Sequence, residues 1–241
     1  KFFSGPESFT PDTNTLLGEV PEVKNFYVCC GLNSIGIGSG GGVGKVTAEW
    51  LINGHINEDI FCYDIKRFQK FHSDLGFIKK RITESLGDLY GMHWPFKQHK
   101  TSRDVKKVPH HENLKSFGAC FGASGGYERP MWFALDGEKA EYNYSYNYQN
   151  WYPSAEYETN NTIKNVGLFD LTPFSKFEIK SDKAHYELQK ICTANIKNEP
   201  GQCVYTHMLN HDGGIETDLT VACINKNHFR IISSAATRER D

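Results

Sequence analysis

Apolar residues gather first at Asn25 to Cys30, where Phe26, Tyr27 and Val28 run together; the run predicts a short buried strand. Eight glycines then fall between Gly31 and Gly54. Behind the densest of them, Val43, Val46, Trp50 and Leu51 recur at the i, i+3, i+7, i+8 spacing of one helix face, with Gly54 as a stop signal. The pattern predicts strand, glycine-rich turn, helix. Near the other end, Phe177 and Ile179 alternate with Lys176, Glu178 and Lys180, a half-buried strand. Ser181 or Asp182 can cap a following helix with Ala184, Leu188 and Ile191 on its apolar face. Cys203–Leu209, Ile215–Ile224 and His228–Ser233 read as strands joined by turns at 210–214 and 225–227. One helix followed by an antiparallel meander makes the fold class α+β. Composition divides the chain at the same scale: a glycine-rich zone over 1–55, a Lys-, Arg- and His-rich connecting zone over 56–111, and a zone over 112–241 that ends in strands.

The charge balance is mixed, with 27 Lys+Arg against 29 Asp+Glu, and this argues against a nucleic-acid sleeve or a polybasic membrane anchor. No apolar run approaches the ~20 residues of a spanning helix. Seven cysteines, an odd number without a Cys-x-x-Cys pair, fit a reduced compartment better than a disulfide framework. The vicinal Cys29–Cys30 pair reads as small core residues. No metal site is expected: His110 and His111 are adjacent and would point apart. The charged stretch Lys97–Lys107 lacks interleaved aromatics and reads as a solvated linker. Six tyrosines over 141–157 read as an edge strand or an ordered loop over a core. Without an initiator Met, and ending on Arg238–Asp241 directly after a strand, the chain reads as an internal portion of a longer polypeptide.

Two segments carry candidate chemistry. Gly36-Ile37-Gly38-Ser39-Gly40-Gly41 matches G-x-G-x-x-G, in which glycines admit a close ligand and a helix N-terminus presents free N–H groups to it. Glycine clusters match this pattern by chance, and neither Asp59 nor Asp64 ends the second strand that a dinucleotide fingerprint needs. A tight packing turn is the other reading. The second segment is Tyr205 to Val221. In a strand, Ile215, Thr217, Leu219 and Val221 share one face and Glu216, Asp218 and Thr220 the other, with the two carboxylates roughly 7 Å apart. That polar face is either a solvated outer surface or a pocket wall for a ligand bearing N–H donors.

The segments Gly5–Asp12, Leu17–Val23 and Cys30–Gly36, with Gly41–Lys45 and Ala48–Trp50, resemble the closing part of flavin-dependent amine oxidoreductases, the dimethylglycine and sarcosine dehydrogenases among them. Gly126–Phe133, Asn165–Phe177 and Gly213–Asp218 resemble the start of the folate-binding aminomethyltransferase domain fused behind those dehydrogenases. The resemblance implies FAD contacts from Gly31, Leu32, Asn33, Ser34, Ile35 and Gly36. It implies tetrahydrofolate contacts from Asp218, as the catalytic carboxylate of a Gly-Gly-x-x-x-Asp pattern, with Glu216, Thr217 and Tyr205 beside it. Thr217 departs from the acid often found there. A methylamine substrate, tetrahydrofolate and an electron acceptor such as an electron-transfer flavoprotein are the implied partners, with nucleic acid and membrane not among them. The implied compartment is the mitochondrial matrix or, for bacterial members, the cytoplasm. A non-catalytic regulatory subunit of pyruvate dehydrogenase phosphatase resembles the same architecture and stands as the alternative function.

Overall fold

The structure, a computed structural model, describes residues 1–241 and falls into two compact units, Lys1–Phe169 and Asp170–Asp241. Helices and antiparallel sheets are mixed in both, as the α+β pattern requires.

The first unit opens with a two-stranded ribbon. β1 (Leu16–Glu19) pairs antiparallel with β2 (Tyr27–Cys30), Leu16 opposite Cys30. Leu17 is buried, but Cys29 and Cys30 are both exposed, contrary to the expectation of core thiols. The ribbon has only two strands, and the end of β2 has no covering layer. α1 (Gly36–Asn53) begins seven residues before the expected Val43. The glycines at 36–42 are its first turns: the Ser39 N–H already donates to the Ile35 carbonyl at 2.9 Å. Glycine disfavours helix by roughly 1 kcal/mol per residue relative to alanine but does not forbid it. The helix stops where the sequence predicts, on Gly54 in the left-handed region (φ 75°). None of its residues is fully buried; Trp50 ties it to β1, its ring lying where a Cβ on Gly18 would approach to 2.5 Å.

α2 (Leu75–Leu89) starts at Asp74, whose carboxylate accepts the Phe77 N–H at 2.8 Å. Its inward face is Phe77, Arg81 and Ser85, at i, i+4, i+8, and two of the three are polar. Each therefore has a carbonyl to bond: Arg81 donates to Thr101 (2.6 Å) and Ser85 to Pro11 (2.6 Å). The charged stretch 97–107 is not a solvated linker. Lys97 pairs with Asp88 at 2.6 Å, and Arg103 forks onto the buried carboxylate of Glu128, with Nε to Oε1 at 2.7 Å. A buried carboxylate needs such a partner, and the burial of Glu128 draws this segment inward. α3 (His111–Ser116) leads into the hairpin of β3 (Ala119–Ser124) and β4 (Tyr127–Phe133). Its turn uses Gly125 and Gly126, both at positive φ (55° and 81°), as a two-residue hairpin turn requires. The tyrosine-rich stretch is an ordered loop leading to α4 (Tyr152–Lys164). Tyr144 Oη accepts the Gln98 N–H (2.8 Å) and Tyr146 Oη donates to the His93 carbonyl (3.0 Å).

The second unit is one four-stranded antiparallel sheet with a helix on it. β5 (Ser175–Lys180), α5 (Ala184–Ile191), β6 (Cys203–Leu209), β7 (Ile215–Asn225) and β8 (His228–Ser233) follow in sequence, and the sheet order is β5-β8-β7-β6. Ala184 and Leu188 of α5, with Cys192 and Ile196, pack on Leu219, Val221, Cys223, Phe229 and Ile231. Ile191 stays exposed, beyond the edge of that contact. The opposite face of the sheet is polar, with Glu178 bonded to Arg230 at 2.7 Å and to His228.

Phe229 is fully buried at the centre of this core. Phe229→Ala is expected to destabilise the second unit by about 3–5 kcal/mol, read by denaturant unfolding, with Leu209→Ala on the rim as a near-neutral control. In the first unit, His72 stacks on Phe71 (ring centroids 3.9 Å apart) and meets Phe77 edge-on, and burial pushes its pKa down to about 4. The unfolded chain takes up that proton first, near pH 6.5. Stability is therefore lost as pH falls from about 6.5 toward 4. His72→Phe should reduce the slope of Tm against pH in that window; an unchanged slope would refute the assignment.

Candidate functional site

The turn between β2 and α1 contains five of the six residues expected to meet a flavin, and the sixth, Gly36, is the first residue of α1. Its path is forced by three successive excursions into the left-handed region, at Gly31 (φ 64°), Asn33 (48°) and Ser34 (64°). Asn33 holds that path. It is 1 % exposed; its Oδ1 accepts the Thr10 N–H (2.8 Å), its Nδ2 donates to the Gly31 carbonyl (2.6 Å), and its own N–H donates to the Ser8 carbonyl (3.2 Å). Asn33 thus has neither side chain nor amide left for a ligand. Its side chain shapes the turn from behind. Leu32 packs over Gly36, where a Cβ would come within 2.9 Å of its side chain. Ser34 and Ile35 are exposed.

What the turn does present is the start of α1. No side chain caps it and no acidic residue lies in its first turn, so the leading N–H groups lack an intrahelical acceptor. Gly38 has open space around it. An electron-rich ring edge fits here by the charge of the helix end and by the absence of side chains. The residues present are compatible with one wall of a flavin site, composed of backbone.

The second site is on β6 and β7. The register sets His207 opposite Asp218 and Tyr205 opposite Thr220. Tyr205 reaches diagonally, and its hydroxyl donates to Asp218 Oδ2 at 3.0 Å. That bond, ahead of partial desolvation, raises the Tyr205 pKa above its ordinary range, so the phenol stays a donor. Asp218 is exposed, and its Oδ1 is left open. The structure brings Tyr205 and Asp218 together and separates Thr217 from them. Period-two alternation turns Thr217 to the other face, where it lines a groove of 930 Å³ with Phe177, Ile179, Met208, Leu219 and Ile231. There Thr217 Oγ1 lies 3.3 Å from Asp241 Oδ2. Glu216 is the extra residue of a β-bulge: Met208 pairs with Thr217 and Leu209 with Ile215. The bulge also breaks the expected alternation at Ile215, which is exposed. One ligand on a single face of the ribbon therefore meets the side chains of Tyr205 and Asp218, not that of Thr217.

Two other groupings are accounted for by packing. Glu84, Asp88 and His99 have ligand atoms within 4.8 Å of one another, a metal-like spacing not anticipated from sequence. Lys97 already bonds Asp88, and Glu84 accepts the Lys100 and Thr101 N–H groups at 2.6 and 2.8 Å. Gly122-Ala123-Ser124-Gly125-Gly126 has the spacing of a nucleophile elbow, but it is a hairpin turn with no helix behind it.

These features fall into a known arrangement. Residues 110–241, more than half of the chain, match the model of the GCVT N-terminal domain, and residues 53–107 match that of the FAD dependent oxidoreductase central domain. The chain belongs to the family of proteins that carry the GCVT N-terminal domain, here joined to a flavoprotein oxidoreductase segment. It is 39 % identical over 240 residues to 4-methylaminobutanoate oxidase (formaldehyde-forming) of Paenarthrobacter nicotinovorans, covering 100 % of this chain and 29 % of that protein. It is 34 % identical to mitochondrial sarcosine dehydrogenase of Homo sapiens (93 % and 27 %). It is 33 % identical to the mitochondrial pyruvate dehydrogenase phosphatase regulatory subunit of Mus musculus (97 % and 26 %). The chain thus spans under a third of the length of these relatives.

Asn33→Ala removes the acceptor of a buried N–H. It is expected to lower the stability of the first unit by about 1–3 kcal/mol, measured by thermal or denaturant unfolding. Asn33→Gly relieves the positive φ but not the lost bonds, so it should recover only part of that loss; full recovery would show that backbone conformation alone sets the role of Asn33.

Proposed function

We propose that these residues form part of a flavin-dependent enzyme that oxidatively demethylates N-methylated amino acids, sarcosine or dimethylglycine among them, and passes the one-carbon unit to tetrahydrofolate. On this reading residues 1–55 close the flavin domain, 56–111 connect, and 112–241 begin the folate domain. The observation that carries it is the Tyr205–Asp218 bond on the open face of the β6–β7 ribbon, beside the Gly213–Gly214 turn. A carboxylate with one oxygen held by a phenol and the other free is suited to orient a ligand N–H.

FAD supplies the hydride acceptor when bound. The chain's part is to bring the uncapped end of α1, including Gly36, toward the region where charge accumulates on reduction. Gly31, Leu32, Ser34 and Ile35 complete that wall, and Asn33 keeps its shape. At the second site Asp218 accepts an N–H of the folate amine and fixes the nitrogen lone pair toward the incoming carbon. Tyr205 keeps that carboxylate in one rotamer. Glu216, at the bulge, sets where β7 turns toward Asp218. A separate acceptor, an electron-transfer flavoprotein or dioxygen, would reoxidise the bound cofactor. The compartment follows the host: mitochondrial matrix in an animal cell, cytoplasm in a bacterium.

The similarity to a phosphatase regulatory subunit over nearly the whole chain supports a second, non-catalytic reading. The full-length protein discriminates. Anaerobic bleaching of its flavin by sarcosine, dimethylglycine or 4-methylaminobutanoate is expected; no bleaching by any of them would favour the regulatory role. Asp218→Asn is expected to leave bleaching unchanged and to lower folate-dependent methylene-tetrahydrofolate yield about 100-fold. Wild-type yield and folate affinity in that variant would remove Asp218 from the site.

A further inference from the structure

The reaction proposed above sets a requirement that Asp218 alone does not meet. Transfer joins the methylene carbon to two folate nitrogens and breaks its bond to the donor amine. Two protons leave the folate nitrogens and two arrive on that amine, while the carbon keeps its oxidation level, so no oxidant is consumed. A group that both takes and returns a proton near neutral pH is needed beside the nitrogen. Tyr205 cannot serve, because its hydroxyl is committed as a donor to Asp218. An ionised carboxylate orients well but is too weak a base to hold a proton between two amine nitrogens.

The side chain suited to that task is an imidazole, and one stands across the ribbon. His207 is the direct strand partner of Asp218, and strand partners on one face have Cβ atoms about 4.5–5.5 Å apart. His207 lies two residues from Tyr205 on the same face of β6, with the two rings edge to face at 5.2 Å between centroids. The backbone around it is fixed from the other side: the Thr193 N–H donates to the His207 carbonyl (3.0 Å), and the His207 N–H donates to Thr193 Oγ1 (3.3 Å). The ring is only partly buried and so is reachable by a ligand on this face. The titratable groups that adjoin it are Tyr205 on its own strand and Asp218 on β7. Glu216 lines the groove on the opposite face with Thr217. The segment along the other edge of β6 contributes Thr193 and Ala194, which do not titrate, and Cys192, which is buried toward that opposite face.

We propose that His207 is a catalytic proton carrier for the one-carbon transfer, working beside Asp218. This rests on the folate-transfer reading. As each of the two C–N bonds forms, neutral His207 takes the proton from that folate nitrogen, and its imidazolium returns it to the donor amine, so that both protons reach the amine as its bond to the carbon breaks. Asp218 on the facing strand stabilises the charged ring in between.

The test uses full-length protein with His207→Asn and His207→Gln, followed by anaerobic flavin bleaching, methylene-tetrahydrofolate yield from pH 5.5 to 8.5, and addition of free imidazole. Both variants should bleach at wild-type rate, lose about 100-fold in methylene-tetrahydrofolate formation, lose the limb of the pH profile due to an imidazole, and regain yield with imidazole. Wild-type yield and pH profile in either variant would overturn the proposal. A parallel fall in bleaching and transfer, or a fall with an unaltered pH profile and no rescue, would assign His207 a structural role and overturn it as well. If wild-type protein bleaches but forms no methylene-tetrahydrofolate, the folate reading itself fails, a result distinct from any seen only in the variants.

Discussion

The alternation of β7 is the constraint on which the second unit depends. Leu219, Val221 and Cys223 face α5 and Phe229, and their burial holds the sheet and helix together. Because side chains on a strand take opposite faces in turn, that same burial obliges Asp218 and Thr220 to look the other way. A slip of one residue would bury Asp218 and expose Leu219, at a cost of several kcal/mol from the carboxylate alone. The acidic group is therefore positioned by the core behind it, and the Tyr205 hydroxyl sets its final orientation.

The first unit is held differently. Its inward-facing positions include Arg81, Ser85, Asp64, Glu128 and Asn33, and long loops cross between its elements. Such a unit relies on satisfied buried hydrogen bonds more than on apolar area. Arg67 with Asp12, and Arg103 with Glu128, tie segments 55 and 25 residues apart. Removing Asp12 or Arg103 leaves the more deeply placed partner, Arg67 or Glu128, charged without its counter-ion. The glycine-rich start of α1 is in contrast almost bare, which suits a surface made to be covered by something other than its own side chains.

The two candidate sites thus follow one plan. Each presents a few polar groups on an open face, fixed from behind by residues whose bonds are made within the fold. Asn33 does this for the turn before α1. The α5–β7 core does it for Asp218, and Thr193 does it for the backbone of His207.

Periodicity alone carried the meander, the helix at 184–191 and the split of Thr217 from Asp218, because strand and helix repeats are local properties of the chain. It also placed the stop of α1 at Gly54, where only a left-handed residue fits. It misjudged the start of α1, since glycine-rich stretches read as turns and their helicity comes from context. It could not see that Asn33 faces inward, that Glu128 draws the 97–107 stretch into the first unit, or that Cys29 and Cys30 lie exposed on a two-stranded ribbon. The bulge at Glu216 and the pairing of His207 with Asp218 were likewise beyond it. Strand register and burial join residues distant in sequence, and no local pattern reports which partner a side chain will find.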